Sequence, residues 1–140
     1  MRNYFHEISI KTSEPVQFVD ITERVREALR ASGISEGIAT VFSKHTTCAV
    51  KINERCDRLQ KDMKAHLESA VPCADYRHDE DTVDDRPNGR GHLMSLMLGA
   101  SETIPVNDGR LALGGWQSVF FVELDGPRIE RKVFVKILGE

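Results

Sequence analysis

What this chain has little of narrows it quickly. Its 140 residues hold three cysteines, Cys48, Cys56 and Cys73, an odd number with no C-x-x-C spacing, which argues against a disulfide framework or a zinc knuckle. Positive charge is in short supply, 19 Lys and Arg against 22 Asp and Glu for a net charge of -3, so there is no basic footprint for nucleic acid. No apolar run approaches bilayer-spanning length, and neither a Walker motif nor a dinucleotide fingerprint occurs. There is no internal repeat or low-complexity tract, and 40% apolar with 29% charged residues is not the composition of a disordered chain. The opening MRNYFHEISIKT enters an alternating strand pattern at once and leaves no room for a signal peptide. The expectation is a single cytoplasmic domain over residues 1–140, with neither membrane nor nucleic acid among its partners.

What is there reads as strands at the start, in the middle and in a block at the end, with helices between. Residues 4–12 alternate as a strand. DITERVREALRASG reads as a helix: Asp20 with Glu23 resembles a capping box, Gly33 suits the C-terminal cap, and Ile21, Val25, Ala28 and Leu29 share one face. GIATVFS and TCAVKIN are two strands joined through a His-Thr-Thr bend. From Cys56 to Ala70 the period is helical, with Leu59, Met63, Leu67 and Ala70 on one side and Pro72 as the stop. A long acidic stretch, CADYRHDEDTVDDRPNGRG, precedes a short apolar helix, HLMSLMLGA. ETIPV and RLAL flank an Asn-Asp-Gly turn, and GWQSVFFVEL and RKVFVKIL flank DGPRIE. This order favours an α+β fold with a mostly antiparallel sheet.

The stretch FSKHTTCAVKINE, residues 42–54, concentrates directional polar groups at one bend. Alternation places Cys48, Val50 and Ile52 on one face and His45, Thr47, Lys51 and Asn53 on the other. That second stripe is either the solvated face of an antiparallel sheet or a site. Cys48 reads as a small core residue, and Trp116 as core. His6 reads as surface. His66 falls near the middle of a helix's apolar face one turn from Asp62, as a structural hydrogen-bonded pair or as part of a site. His78 stands beside Asp79, Glu80 and Asp81, a run that serves solvation or holds Mg²⁺ or Ca²⁺ through oxygen. In PNGRGH a helix start preceded by glycines exposes free N–H groups that favour an anion, and Arg90 adds a full charge. His45, His78 and His92 are residue types that ligate zinc, at spacings that are not diagnostic.

Taken in order, HTTCAVKINE, YRH, PNGRGHL, LGASETIPVNDGRLALGGWQ and DGPR resemble the YjbQ-like family, small proteins described as secondary thiamine-phosphate synthases, over nearly the whole chain. The resemblance implies an antiparallel sheet curved into a half-barrel with two to three helices packed on it, and a homotrimer. It implies a polar pocket near subunit boundaries that takes a small-molecule substrate. Catalytic positions carried over are His45, Thr46, Thr47, Asn53, Glu54, Asp62 and Gln117. Substrate and phosphate binding falls to Asn88, Arg90, Arg128 and Arg131, and a metal site to His45, His78 and His92. Gly115 and Cys48 depart from the residues most usual there. The implied reaction joins an aminopyrimidine methyl diphosphate to a thiazole phosphate and releases pyrophosphate, with Mg²⁺ serving the diphosphate and Zn²⁺ or a similar ion at the histidines. His45 and Asn53 would position the pyrimidine or move a proton. "Secondary" leaves room for a different physiological reaction. The alternatives are a metal-dependent hydrolase of a phosphorylated metabolite and a non-catalytic ligand-binding trimer.

Overall fold

The ends of the chain pair with one another. Strand β1 (Arg2–Ile10) runs antiparallel to β8 (Arg131–Gly139), with Ile8 opposite Val133. In the computed structural model, which describes residues 1–140, β8 also pairs with β3 (Gly37–Ser43), β3 with β5 (Ser101–Asn107), and β5 with the short β6 (Arg110–Leu111). A second antiparallel sheet has β7 (Gln117–Glu123) at its centre, between β2 (Gln17–Asp20) and β4 (Cys48–Glu54). Together they form an α+β half-barrel carrying three helices, α1 (Thr22–Ser32), α2 (Asp57–Ala70) and α3 (Gly89–Leu98).

The layers follow from which faces are apolar. One core fills the space between the sheets: Ile8, Val41, Ile104, Val133 and Val135 meet Cys48, Val50, Val119 and Phe121, with Val25, Ala28 and Leu29 of α1 plugging the interior. A second core lies on the other face of the three-stranded sheet, where Ala49, Phe120 and Val122 meet Leu67 of α2 and Met94 of α3. The three-stranded sheet is thus buried on both faces. This corrects the expected outward stripe on β4: Cys48, Ala49 and Val50 are all buried, and Thr47 is buried too. The two strands joined by the His-Thr-Thr bend, β3 and β4, lie in different sheets and do not pair.

Local signals were met unevenly. Gly33 ends α1 in the left-handed region at φ 64°. Asp108 and Gly109 both have positive φ, 49° and 68°, as a two-residue type I′ hairpin turn requires. The capping box does not form. Helix α1 starts at Thr22, so Asp20 instead accepts the Thr22 N–H at 2.9 Å and its hydroxyl at 2.6 Å, while Glu23 pairs with Arg30. Trp116 is 79% exposed, not core. It sits on a turn before β7 begins, and the Gln117 side chain accepts the Gly114 N–H at 2.8 Å and closes that turn upon itself.

Helix α3 starts inside PNGRG, not after it, and Gly91 is buried against β7's exit, where an added Cβ would stand 2.7 Å from the Leu124 carbonyl oxygen. In an open helix Gly→Ala gains about 1 kcal/mol. Here the sign reverses: Gly91→Ala is expected to destabilise by about 1–3 kcal/mol, measured as a lower urea midpoint.

Candidate active site

Three connections cross from one sheet to the other at the same end of the molecule: residues 11–16, 44–47 and 124–130. Strands that part leave backbone groups unpaired, and here the crossings satisfy each other. The Thr12 N–H donates to Arg128 O at 2.9 Å, the Leu124 N–H to Thr47 O at 3.1 Å, and the Gly126 N–H to Pro15 O at 3.1 Å.

The gap between the parted strands holds a buried ion pair. Glu123, the last residue of β7, is 0% exposed, and Arg131, the first of β8, is 3% exposed. Arg131 Nε donates to Glu123 Oε2 at 2.9 Å, and Nη2 donates to Oε1 and to Thr47 Oγ1 at 3.0 Å. The carboxylate also accepts the Thr12 hydroxyl at 2.9 Å and the N–H groups of Leu124 and Asp125 at 3.1 and 3.0 Å. Burial alone would raise the Glu123 pKa, but the Arg131 hydrogen bonds and charge, with the Asp125 N–H and Thr12, outweigh it and hold the carboxyl below its ordinary value. Arg131 is likewise raised, Glu123 overcoming its burial. Of the guanidinium nitrogens only Nη1 makes no hydrogen bond to the protein, and Arg131 lines a cavity.

That cavity measures about 430 Å³. The bend supplies Lys44, His45, Thr46 and Thr47; the acidic stretch supplies His78, Val83 and Asp84; the start of α3 supplies Asn88 and His92; Arg128 and Arg131 complete the wall. The His78 and His92 rings lie 4.6 Å apart, centre to centre. Lys44 Nζ sits 5.2 Å over the Phe134 ring. Asp125 fixes two of its neighbours, accepting Asn88 Nδ2 at 2.8 Å and Arg128 Nη2 at 2.7 Å. Asn88 Oδ1 is left buried with no donor. Turning the amide over would set that oxygen against the carboxylate, so its orientation is fixed.

His45 is also fixed. The Lys132 backbone N–H donates to Nε2 at 2.9 Å, which places the imidazole proton on Nδ1. Burial, and then the charges of Arg131 and Lys44, push its pKa below the ordinary 6.5. His45 is therefore a neutral hydrogen-bond donor, and its one lone pair is taken. Because the unfolded chain accepts that proton first, the His45 contribution to stability is full above about pH 6.5 and declines as pH falls through that value. Urea titrations at pH 5 and 7.5 should show the decline, and His45→Asn should reduce it.

The structure brings His45, Thr46, Thr47, His78, Asn88, His92, Arg128 and Arg131 into one cavity. It does not bring the rest. Asn53, Glu54 and Gln117 lie at the opposite end of the three-stranded sheet, where Glu54 pairs with Gln117 while Cys48 pairs with Glu123, a strand length of about 20 Å away. Asp62 and His66 are exposed on α2 and are not hydrogen-bonded to each other. Arg90 turns away, donating from Nε to Val71 O at 2.7 Å and from Nη2 to Glu68 O at 2.9 Å, and so caps the end of α2. The α3 terminus is partly occupied as well, since the Gly89 N–H donates to Asp79 Oδ1 at 2.8 Å.

The three histidines expected as metal ligands line one cavity, where the Lys132 N–H engages His45 Nε2. Among the lining residues, Asp84 supplies a carboxylate and Asn88 an amide oxygen without a donor, the oxygen types that a hard cation takes. The residues that sequence reasoning missed are Glu123, Asp125 and Lys44. The signal for Glu123 was present: it is the single charge closing the apolar run VFFVEL.

Against known proteins, the family described as UPF0047 protein YjbQ-like matches residues 6–140. A UPF0047 protein of Methanothermobacter thermautotrophicus is 44% identical over 141 residues, covering 100% of this chain and 95% of its own. Among solved structures, a YbjQ-like protein of unknown function from Sulfolobus solfataricus superposes with a TM-score of 0.93 at 38% identity, over 99% of both chains. An uncharacterized conserved protein of the yjbq/upf0047 family from Clostridium acetobutylicum gives 0.87 at 42% identity, over 95% of this chain and 99% of its own.

Proposed function

The chain belongs to the UPF0047 YjbQ-like family, and from that footing we propose that its cavity binds phosphorylated small molecules and that it is a transferase with thiamine-phosphate synthase activity. The observation that carries the reading is the guanidinium of Arg131, buried and locked by Glu123, on a residue that lines the cavity and whose Nη1 has no acceptor in the protein. A buried fork held this way is the residue type that recognises phosphate oxygens.

In the proposed reaction the bond from the pyrimidine methylene carbon to the diphosphate oxygen breaks, the electron pair leaves with pyrophosphate, and the thiazole nitrogen's lone pair forms the new C–N bond. Negative charge is localised on the departing oxygen. Arg131 Nη1 and His45 Nδ1–H are donors already in place to meet it, without reorganisation. Lys44 adds charge at the bend and Arg128 a second guanidinium. His45 acts here as a donor, not as a base. Mg²⁺ arriving with the diphosphate would be held by Asp84 and Asn88 and would offset phosphate charge. One N–H of the Asn88 amide is spent on Asp125; the second is left to meet a phosphate oxygen, and Oδ1 is an acceptor without a donor.

A homotrimer belongs to the same proposal, and exposed Trp116, Leu96 and Met97 supply apolar surface for it; sedimentation equilibrium measures it directly. The activity is tested by incubating the protein with both precursors and Mg²⁺. Thiamine phosphate should accumulate, and product no greater than in a protein-free blank would refute the reading.

A further inference from the structure

We infer that Glu123 and Asp125 set the charge of the anion this cavity accepts, so that a diphosphate enters as its Mg²⁺ complex and not as the free polyanion; the inference rests on the phosphate reading above. The fixed cations on the cavity wall are Lys44, Arg128 and Arg131. Each arginine is backed by its own carboxylate: Glu123 on Arg131, and Asp125 at 2.7 Å on Arg128. Asp84 on the wall is a third. One step further out, Arg86 stands 3.8 Å from Asp125 and Asp79 stands 3.5 Å from His78, and the charges of Arg86 and Asp79 offset each other.

Counted over these lysine, arginine and carboxylate side chains, the cavity therefore offers many directed N–H donors and almost no net charge. Such a site recognises phosphate oxygens by geometry, but it does not offset a multiply charged ion brought in from water. A diphosphate group carries several negative charges, of which one Mg²⁺ cancels about two. The complex matches a near-neutral cavity and the free ion does not. Glu123 thus does two things at once. It fixes the rotamer of Arg131 through Nε and Nη2, leaving Nη1 as the guanidinium nitrogen without a protein acceptor, and it cancels the charge of that residue. It is a positioning and specificity residue acting through Arg131.

The test is calorimetric titration of inorganic pyrophosphate into the protein, with Mg²⁺ or with chelator. The wild-type protein should bind pyrophosphate at least about 10-fold more tightly with Mg²⁺. Glu123→Gln retains the shape of the side chain and removes its charge, so affinity for free pyrophosphate should rise about 10-fold and the preference for Mg²⁺ should shrink. Asp125→Asn, on a partly exposed turn, should move the same way and keeps the test decisive if Glu123→Gln folds poorly. A purely structural role would shift the unfolding midpoint and leave the ratio of affinities as it was. Equal wild-type affinity with and without Mg²⁺, or an unchanged ratio in both variants, would overturn the inference. If pyrophosphate binds in neither form, it is the phosphate reading that fails.

Discussion

Arg131→Met should cost about 3–5 kcal/mol of folding stability, among the largest effects a single substitution in this chain is expected to have. Methionine fills much of the same volume, so the loss is not one of packing. It comes from Glu123, which is fully buried between two parted sheets and would lose its only cation. The Thr12 hydroxyl and two backbone N–H groups remain as donors, yet they do not neutralise a charge in that environment. Two consequences distinguish this from a packing defect. Glu123→Gln combined with Arg131→Met should recover a substantial part of the loss, because no charge is left stranded. The deficit should also shrink toward acid, where Glu123 of the single variant takes up a proton. In the wild-type protein the sign is opposite: the Glu123 pKa is held below 4.5, so its contribution is full above that value and is lost as pH falls through the lower folded one. Urea denaturation of the three proteins from about pH 2 to 8 measures both effects.

His45→Ala should lower kcat for thiamine phosphate formation by about 100- to 1,000-fold while moving KM much less. The reason lies in the tautomer. With Nε2 accepting from the Lys132 N–H, Nδ1–H is the free donor, and it is useful mainly when charge appears on the leaving oxygen. Loss of the Lys132 acceptor should cost stability only about 1 kcal/mol, so the variant should fold. His45→Gln, which restores an amide donor and an acceptor, should regain part of the activity. A kcat for His45→Ala within about twofold of wild type would remove His45 from the mechanism.

Much of this architecture was legible because period two and period 3.6 leave different marks. β3 was readable as GIATVFS residue for residue, and the Asn-Asp-Gly turn announced its positive φ angles. What could not be read was partnership. Alternation in TCAVKIN says that one face is buried; it does not say that Ala49, on the other face, lies under α3. Nor does it say that β3 and β4 belong to different sheets. That division is what places the site, since the cavity forms where the crossings gather. Arg90 and Arg131 look alike as residues in a string. One caps a helix and the other floors a pocket, and only the packing separates them. Trp116 was misjudged because two glycines lift it off the strand before the alternation starts. The His-Thr-Thr bend was legible as a polar cluster, and the fold puts it on a cavity wall. Its charged foundation, Glu123, showed only as the single charge closing VFFV, which reads as the end of a strand until its partner, eight residues on, is seen to fold back onto it.

The most direct test of the account is side-chain ¹⁵N–¹H NMR of Arg131 and His45 during titration with pyrophosphate and Mg²⁺. The Arg131 guanidinium and the His45 Nδ1–H signals should shift together and saturate with the same affinity, while Arg90 stays unmoved. Saturable binding that shifts Arg90 and the start of α3 and leaves Arg131 and His45 unchanged would contradict it.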